Sequence, residues 1–136
     1  MNIYIDIDGV LVHDSLKNNG ALANGALELL KYLTQNHNCF WLTTHCRGGE
    51  NHAVEYLNKK FFSDETAMLE KIKMTDWGAW KTDAIDFSQD FRWLDDDTYS
   101  LESEALKAHQ CEDKLIKVNL HQNSNQLVEI LKHFNS

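Results

Sequence analysis

Short apolar runs alternate with helical spacings along the whole of this 136-residue chain. That alternation limits the fold more than any other feature. Ile3 to Asp6 reads as a buried strand. Ala26, Leu29, Leu30 and Leu33 follow at the i, i+3, i+4, i+7 spacing of an amphipathic helix, with Asn24 as its expected N-cap. Cys39-Phe40-Trp41-Leu42 reads as a second strand, and residues 50–61 as a helix with Val54, Leu57 and Phe61 facing inward. A short edge strand is expected over 67–74 and a short helix over 81–85. Phe91 to Leu94 reads as a strand, 98–109 as a weaker helix, and Leu115 to Val118 as the last strand. Leu127, Ile130, Leu131 and Phe134 repeat the helical spacing. Strands alternating with helices need crossover connections, and crossovers give a parallel sheet covered on both faces. The expected fold is α/β: a Rossmann-like parallel sheet of about five strands with helices on both faces, in one domain over 1–136.

Composition excludes several classes. No apolar run approaches the roughly 18 residues of a membrane span, so no membrane partner is expected. No basic segment precedes the first strand, so a signal peptide is not expected. Cys39, Cys46 and Cys111 show no metal spacing and no even framework, which points to a reducing, cytoplasmic setting. A formal charge of −8 argues against extended nucleic-acid binding. No repeat, linker or low-complexity stretch divides the chain, and the absence of proline rules out any device built on a cis-prolyl bond.

The first strand runs into Asp6-Ile7-Asp8-Gly9-Val10. Side chains alternate along a strand, so Asp6 and Asp8 are expected to point the same way. Two carboxylates there repel each other unless a cation or a reaction needs them. A second acidic cluster, Asp95-Asp96-Asp97, ends the run Phe91 to Leu94. If the two strands are neighbours in a parallel sheet, both clusters meet at the edge where open α/β sheets bind ligands. The bland reading is a solvated acidic strand end with a turn at Asp8-Gly9; the second cluster counts against it.

Such a pair suits phosphoryl transfer. One carboxylate can attack phosphorus and form an acyl-phosphate. The other can protonate the leaving oxygen and later take a proton from water. A phosphate dianion approaches several carboxylates only with a divalent cation, and Mg²⁺ takes oxygen ligands of this kind. Thr43-Thr44 ends the second strand, where a hydroxyl can bond a phosphate oxygen. Lys81 opens the predicted short helix and can hold both phosphate and nucleophile, with Lys73 as its rival.

The order Asp-x-Asp-Gly-Val, apolar strand with Thr, Lys, then apolar strand with Asp-Asp resembles the haloacid dehalogenase superfamily. The motifs carrying this resemblance are Tyr4 to Leu11 and Trp93-Leu94-Asp95-Asp96. The resemblance implies Asp6 as nucleophile, Asp8 as general acid and base, Thr43 as phosphate ligand and Lys81 as stabiliser of the phosphoryl intermediate. It implies a Mg²⁺ site formed by the Asp6 carboxylate, the Asp8 backbone carbonyl and Asp96, with Asp95 orienting Lys81 or a water. Members that cleave carbon–halogen bonds lack the second aspartate of the first motif, so Asp8 favours phosphate chemistry. The expected activity is that of a phosphomonoester hydrolase on a phosphorylated substrate of unstated class.

Cap domains of this family follow the first motif or the third strand. Residues 10–24 leave room for a small flap, and 74–81 for nothing larger, so a capless member is expected. Arg47 is a secondary candidate for a second substrate phosphate. Trp77 and Trp80 precede Lys81 and could stack a base or sugar, though packing on the sheet is the plainer reading; Trp41 and Trp93 are expected in the core. His13 and His45 lie near the site by sequence and read as bystanders. The alternative function is a non-catalytic metal- or phosphate-binding domain, either receiver-like or a degenerate family member. The receiver version needs its lysine last, whereas here the lysine precedes the second acidic cluster.

Overall fold

A computed structural model describes residues 1–14, 20–47, 49–61 and 65–136. Four parallel strands form the main sheet: β1 (Asn2–Ile5), β2 (Asn38–Trp41), β5 (Phe91–Asp95) and β6 (Leu115–Lys117), in the order β2-β1-β5-β6. A separate two-stranded hairpin joins β3 (Cys46–Arg47) to β4 (Glu50–Asn51). The helices are α1 (Ala26–Asn36), α2 (Ala53–Asn58), α3 (Thr66–Leu69), α4 (Ser100–Ala108) and α5 (Gln126–Phe134). Two 3₁₀ turns, Lys81–Ala84 and Glu112–Lys114, precede β5 and β6.

The expected α/β class with helices on both faces is what the chain adopts. Pleating sends Ile3 and Ile5 to one side of the sheet and Tyr4 to the other. Ile3, Ile5, Trp41 and Leu94 pack with α1 through Leu29, Leu30 and Leu33, and with α5 through Leu127 and Ile130. Tyr4 and Trp93 pack on the opposite face with Trp77, Ile85 and Leu106 of α4. Trp41 and Trp93 are both fully buried, as expected. Among the described residues no helix is long and apolar enough to cross a membrane.

Four expectations need correction. The main sheet has four strands among the described residues, rather than about five. Over 67–74, Leu69 and Ile72 are buried three positions apart, which a helical turn satisfies and an alternating strand does not. Only Lys73 pairs with β2: its N–H donates to the Cys39 carbonyl at 2.9 Å and its carbonyl accepts from Trp41 N–H at 2.8 Å. The helix expected over 50–61 is shortened to Ala53–Asn58, because Glu50 and Asn51 belong to the hairpin. Asn51 Oδ1 then accepts the Ala53 N–H at 3.1 Å and opens α2. Asn24 does not cap α1; Gly25 does, with φ 83°. The Asn24 side chain instead donates to Asn125 Oδ1 at 2.6 Å, tying the start of α1 to the start of α5. The expected flap falls partly on 15–19, outside the described residues; around it, Val12 bridges Leu22 in antiparallel fashion.

Candidate active site

Register brings the two acidic clusters together. β1 and β5 run parallel with Ile5 opposite Leu94, so Asp6 and Asp95 are the next neighbours, and Asp6 N–H donates to the Leu94 carbonyl at 3.0 Å. Asp6, Asp95 and Asp96 each place a carboxylate oxygen within 4.8 Å of the others. Gly9 permits this: its φ is +80°, and a Cβ there would lie 2.3 Å from Asp96 Oδ2.

Lys81 joins the clusters. Its Nζ lies 3.2 Å from Asp6 Oδ2 and 2.7 Å from Asp95 Oδ2. Asp95, almost fully buried, has further donors: Oδ2 also accepts the Trp93 indole N–H at 3.1 Å, and Oδ1 accepts the Asp97 N–H at 3.3 Å. Asp6 Oδ1 accepts the Ile7 N–H at 2.8 Å. Burial pushes Asp95 and Asp96 upward from the usual carboxylate range, and the charge of Asp6 adds to both shifts. Burial pulls Lys81 the other way, but Asp6 and Asp95 outweigh it and hold the ammonium charged. The rival Lys73 is excluded from the cluster; its Nζ lies over the Phe40 ring, 5.8 Å from the centroid.

Asp8 stands apart. Its carboxylate meets His45 Nε2 at 2.8 Å through Oδ2 and accepts the Tyr56 hydroxyl at 3.3 Å through Oδ1. The His45 and Tyr56 rings stack with centroids 4.2 Å apart. The Asp8 side chain is therefore no member of the three-carboxylate set. His45, read from sequence as a bystander, is a partner of Asp8.

A cavity of about 510 Å³ opens over the cluster, lined by Asp6, Lys81, Asp96 and Asp97 with Thr44 and Arg47. Thr43 is fully buried, and its Oγ1 accepts the His45 N–H at 3.4 Å. Thr44 faces the cavity. Arg47 lines it too, but its Nε and Nη2 both donate to the Gly78 carbonyl, at 3.2 and 2.7 Å. The guanidinium lies 4.3 Å from the centroid of the Trp77 ring. Trp77 itself is core, its indole N–H shared between the Thr43 and Cys46 carbonyls at 3.2 and 3.1 Å. Trp80 lines the cavity.

Sequence reasoning missed Glu102, which is almost fully buried. Its Oε2 accepts the Lys81 N–H at 2.8 Å and its Oε1 the Tyr99 N–H at 2.9 Å. The signal was present: a glutamate three residues into a helix commonly returns to the backbone at its start. Its reach to Lys81 was not readable.

The donor set suits a hard cation: three carboxylates gather within reach of one ion, and the two that burial pushes upward, Asp95 and Asp96, gain from a shared positive charge. Chemically the site offers a carboxylate held beside an ammonium, and a second carboxylate on a different set of donors. Comparison with family models, with curated proteins and with solved structures returned no match.

Proposed function

We propose that this chain is a Mg²⁺-dependent phosphomonoester hydrolase of the haloacid dehalogenase type, working in a reducing cytoplasm. The observation that carries the reading is the Lys81 ammonium between Asp6 and Asp95, 3.2 and 2.7 Å away, at the edge of a three-carboxylate cluster. Asp6 attacks phosphorus, the bond to the leaving oxygen breaks, and Asp8 gives that oxygen its proton. Water then attacks the aspartyl-phosphate at phosphorus, loses a proton to Asp8, and releases inorganic phosphate with Asp6 regenerated. Lys81 balances charge on Asp6 and on the transferred phosphoryl group. The Thr43-Thr44 pair supplies a phosphate-binding hydroxyl, with Thr44 on the cavity wall. Asp6, Asp96 and the Asp8 carbonyl would hold Mg²⁺, which when bound neutralises the phosphate oxygens. Asp95, which accepts hydrogen bonds from Lys81, Trp93 and Asp97, acts as a positioning residue for Lys81.

The test is covalent trapping. Acid quench during turnover of a ³²P-labelled monoester should leave hydroxylamine-sensitive label on Asp6. Absence of label under a quench faster than turnover would demote Asp6 to a ligand and favour direct attack by water.

A further inference from the structure

Part of the cavity wall has no role in the phosphoryl chemistry. Trp80 and Tyr99 both line it, and Tyr99 is 70% exposed at its rim. Their rings meet edge to face with centroids 5.7 Å apart and an interplanar angle of 65°. The pair is anchored from beneath by one buried side chain. Glu102 accepts the Lys81 N–H at 2.8 Å through one oxygen and the Tyr99 N–H at 2.9 Å through the other. The lysine that faces Asp6 and the aromatic rim are thus held at a set spacing, with Trp80 directly before Lys81. The Trp80 N–H is itself held by Asp83 Oδ2 at 3.2 Å. Trp77 borders the cavity too, but its ring is buried and its N–H is already used.

We propose that Trp80 and Tyr99 bind a planar aromatic group carried by the substrate, so that the substrate is an aromatic phosphomonoester. This rests on the phosphatase reading above. A cavity of about 510 Å³ exceeds what a phosphate alone fills and lies within the range of small-molecule sites. Indole and phenol rings offer large, stiff surface to a π-system, which suits any flat ring without reading its edges. Asp96 and Asp97 border the same cavity, and Arg47 is tied to Gly78 and Trp77. A neutral ring fits that wall better than a second anionic group does. Two sources supply this chemistry: a nucleoside monophosphate, with the ring one sugar away from phosphorus, and an aryl phosphate, with the ring on the ester oxygen.

The experiment compares kcat/KM in Mg²⁺ for AMP, O-phosphotyrosine and ribose 5-phosphate, in the wild-type chain and in Trp80→Ala, Trp80→Phe and Tyr99→Ala. At least one aromatic ester should exceed ribose 5-phosphate by roughly tenfold or more, and which one leads identifies the source. Trp80→Ala should shrink that ratio by about fivefold to a hundredfold, the range of a lost stacking contact. Trp80→Phe should restore most of it, and Tyr99→Ala, at an exposed side chain, should shrink it without loss of folding. Equal turnover of sugar and aromatic esters by the wild-type chain overturns this inference alone, as does a Trp80→Ala loss equal for all three. No turnover of any of them overturns the phosphatase reading, and this inference with it.

Discussion

His45 Nε2 lies 2.8 Å from Asp8 Oδ2, and it gives Asp8 an orientation that the first motif does not encode. With Tyr56 donating to the other oxygen at 3.3 Å, both carboxylate oxygens are engaged. The His45 side chain is 23% exposed and that of Asp8 48%, so the imidazole holds a carboxylate that solvent also reaches. His45→Ala should lower turnover of alkyl phosphates more than of aryl phosphates, because only the former need a proton on departure. His45→Gln retains a donor at the Nε2 position and should recover much of the loss. Equal losses on both substrate types, or no recovery with glutamine, would reduce His45 to a packing residue.

Asp6→Asn removes the attacking charge, so turnover should fall below detection and the acid-stable label should disappear. Asp8→Asn leaves the nucleophile and removes the proton carrier. Its loss should be up to roughly 10²–10⁴-fold on alkyl esters and smaller on aryl esters. Steady-state rates on a leaving-group series check both roles; damage independent of leaving group would contradict the assignment of Asp8.

Metal dependence follows from the carboxylate cluster. Chelator should abolish turnover and Mg²⁺ restore it, whereas Ca²⁺, with looser and larger coordination, should substitute poorly. Gly9→Ala tests the same geometry. Its φ of +80° strains any other residue, and the added Cβ would press on Asp96 at 2.3 Å. A loss of about 1–2 kcal/mol from the backbone alone is expected in chemical denaturation. The Mg²⁺ concentration for half-maximal rate should also rise. An unchanged Mg²⁺ requirement would show that Asp96 is no ligand.

The three thiols should be silent. Cys39, Cys46 and Cys111 are buried and unpaired. Burial pushes the Cys39 thiol up to about 12 and raises Cys46 and Cys111 as well. Alkylation at pH 8 should be slow in the native chain and fast in denaturant, read by mass spectrometry. The sign of the linkage is also set. Native thiols keep protons that unfolded thiols release above about pH 9, so stability should fall as pH rises from about 9 toward 12. A flat unfolding midpoint across that window would contradict the burial.

Much of the fold was legible because periodicity encodes it. The spacing of Ala26, Leu29, Leu30 and Leu33 marks α1, and the runs ending at Asp6 and Asp95 mark the two central strands. Segments whose state depends on partners were not legible. Glu50 and Asn51 stand just before the apolar spacing of Ala53 and Leu57, yet their backbone pairs with Cys46 and Arg47. Lys73 contributes one bridge where a strand was expected, because Leu69 and Ile72 turn inward together before it.

The candidate site divides along the same line. Sequence alone determined which residues could do the chemistry, since Asp-x-Asp-Gly and Asp-Asp are local patterns at the ends of apolar runs, where a parallel sheet presents side chains. The tertiary structure alone decided which groups meet. It separated Lys81 from Lys73 and put Thr44 rather than Thr43 on the cavity wall. It also buried Trp77 while leaving Trp80 half-buried, and gave Asp8 to His45 and Tyr56. Those outcomes depend on strand register and on loops that cross the sheet edge from distant parts of the chain. Glu102 shows the reason most plainly: its hydrogen bond to Lys81 spans 21 positions, and no local pattern carries a contact at that separation.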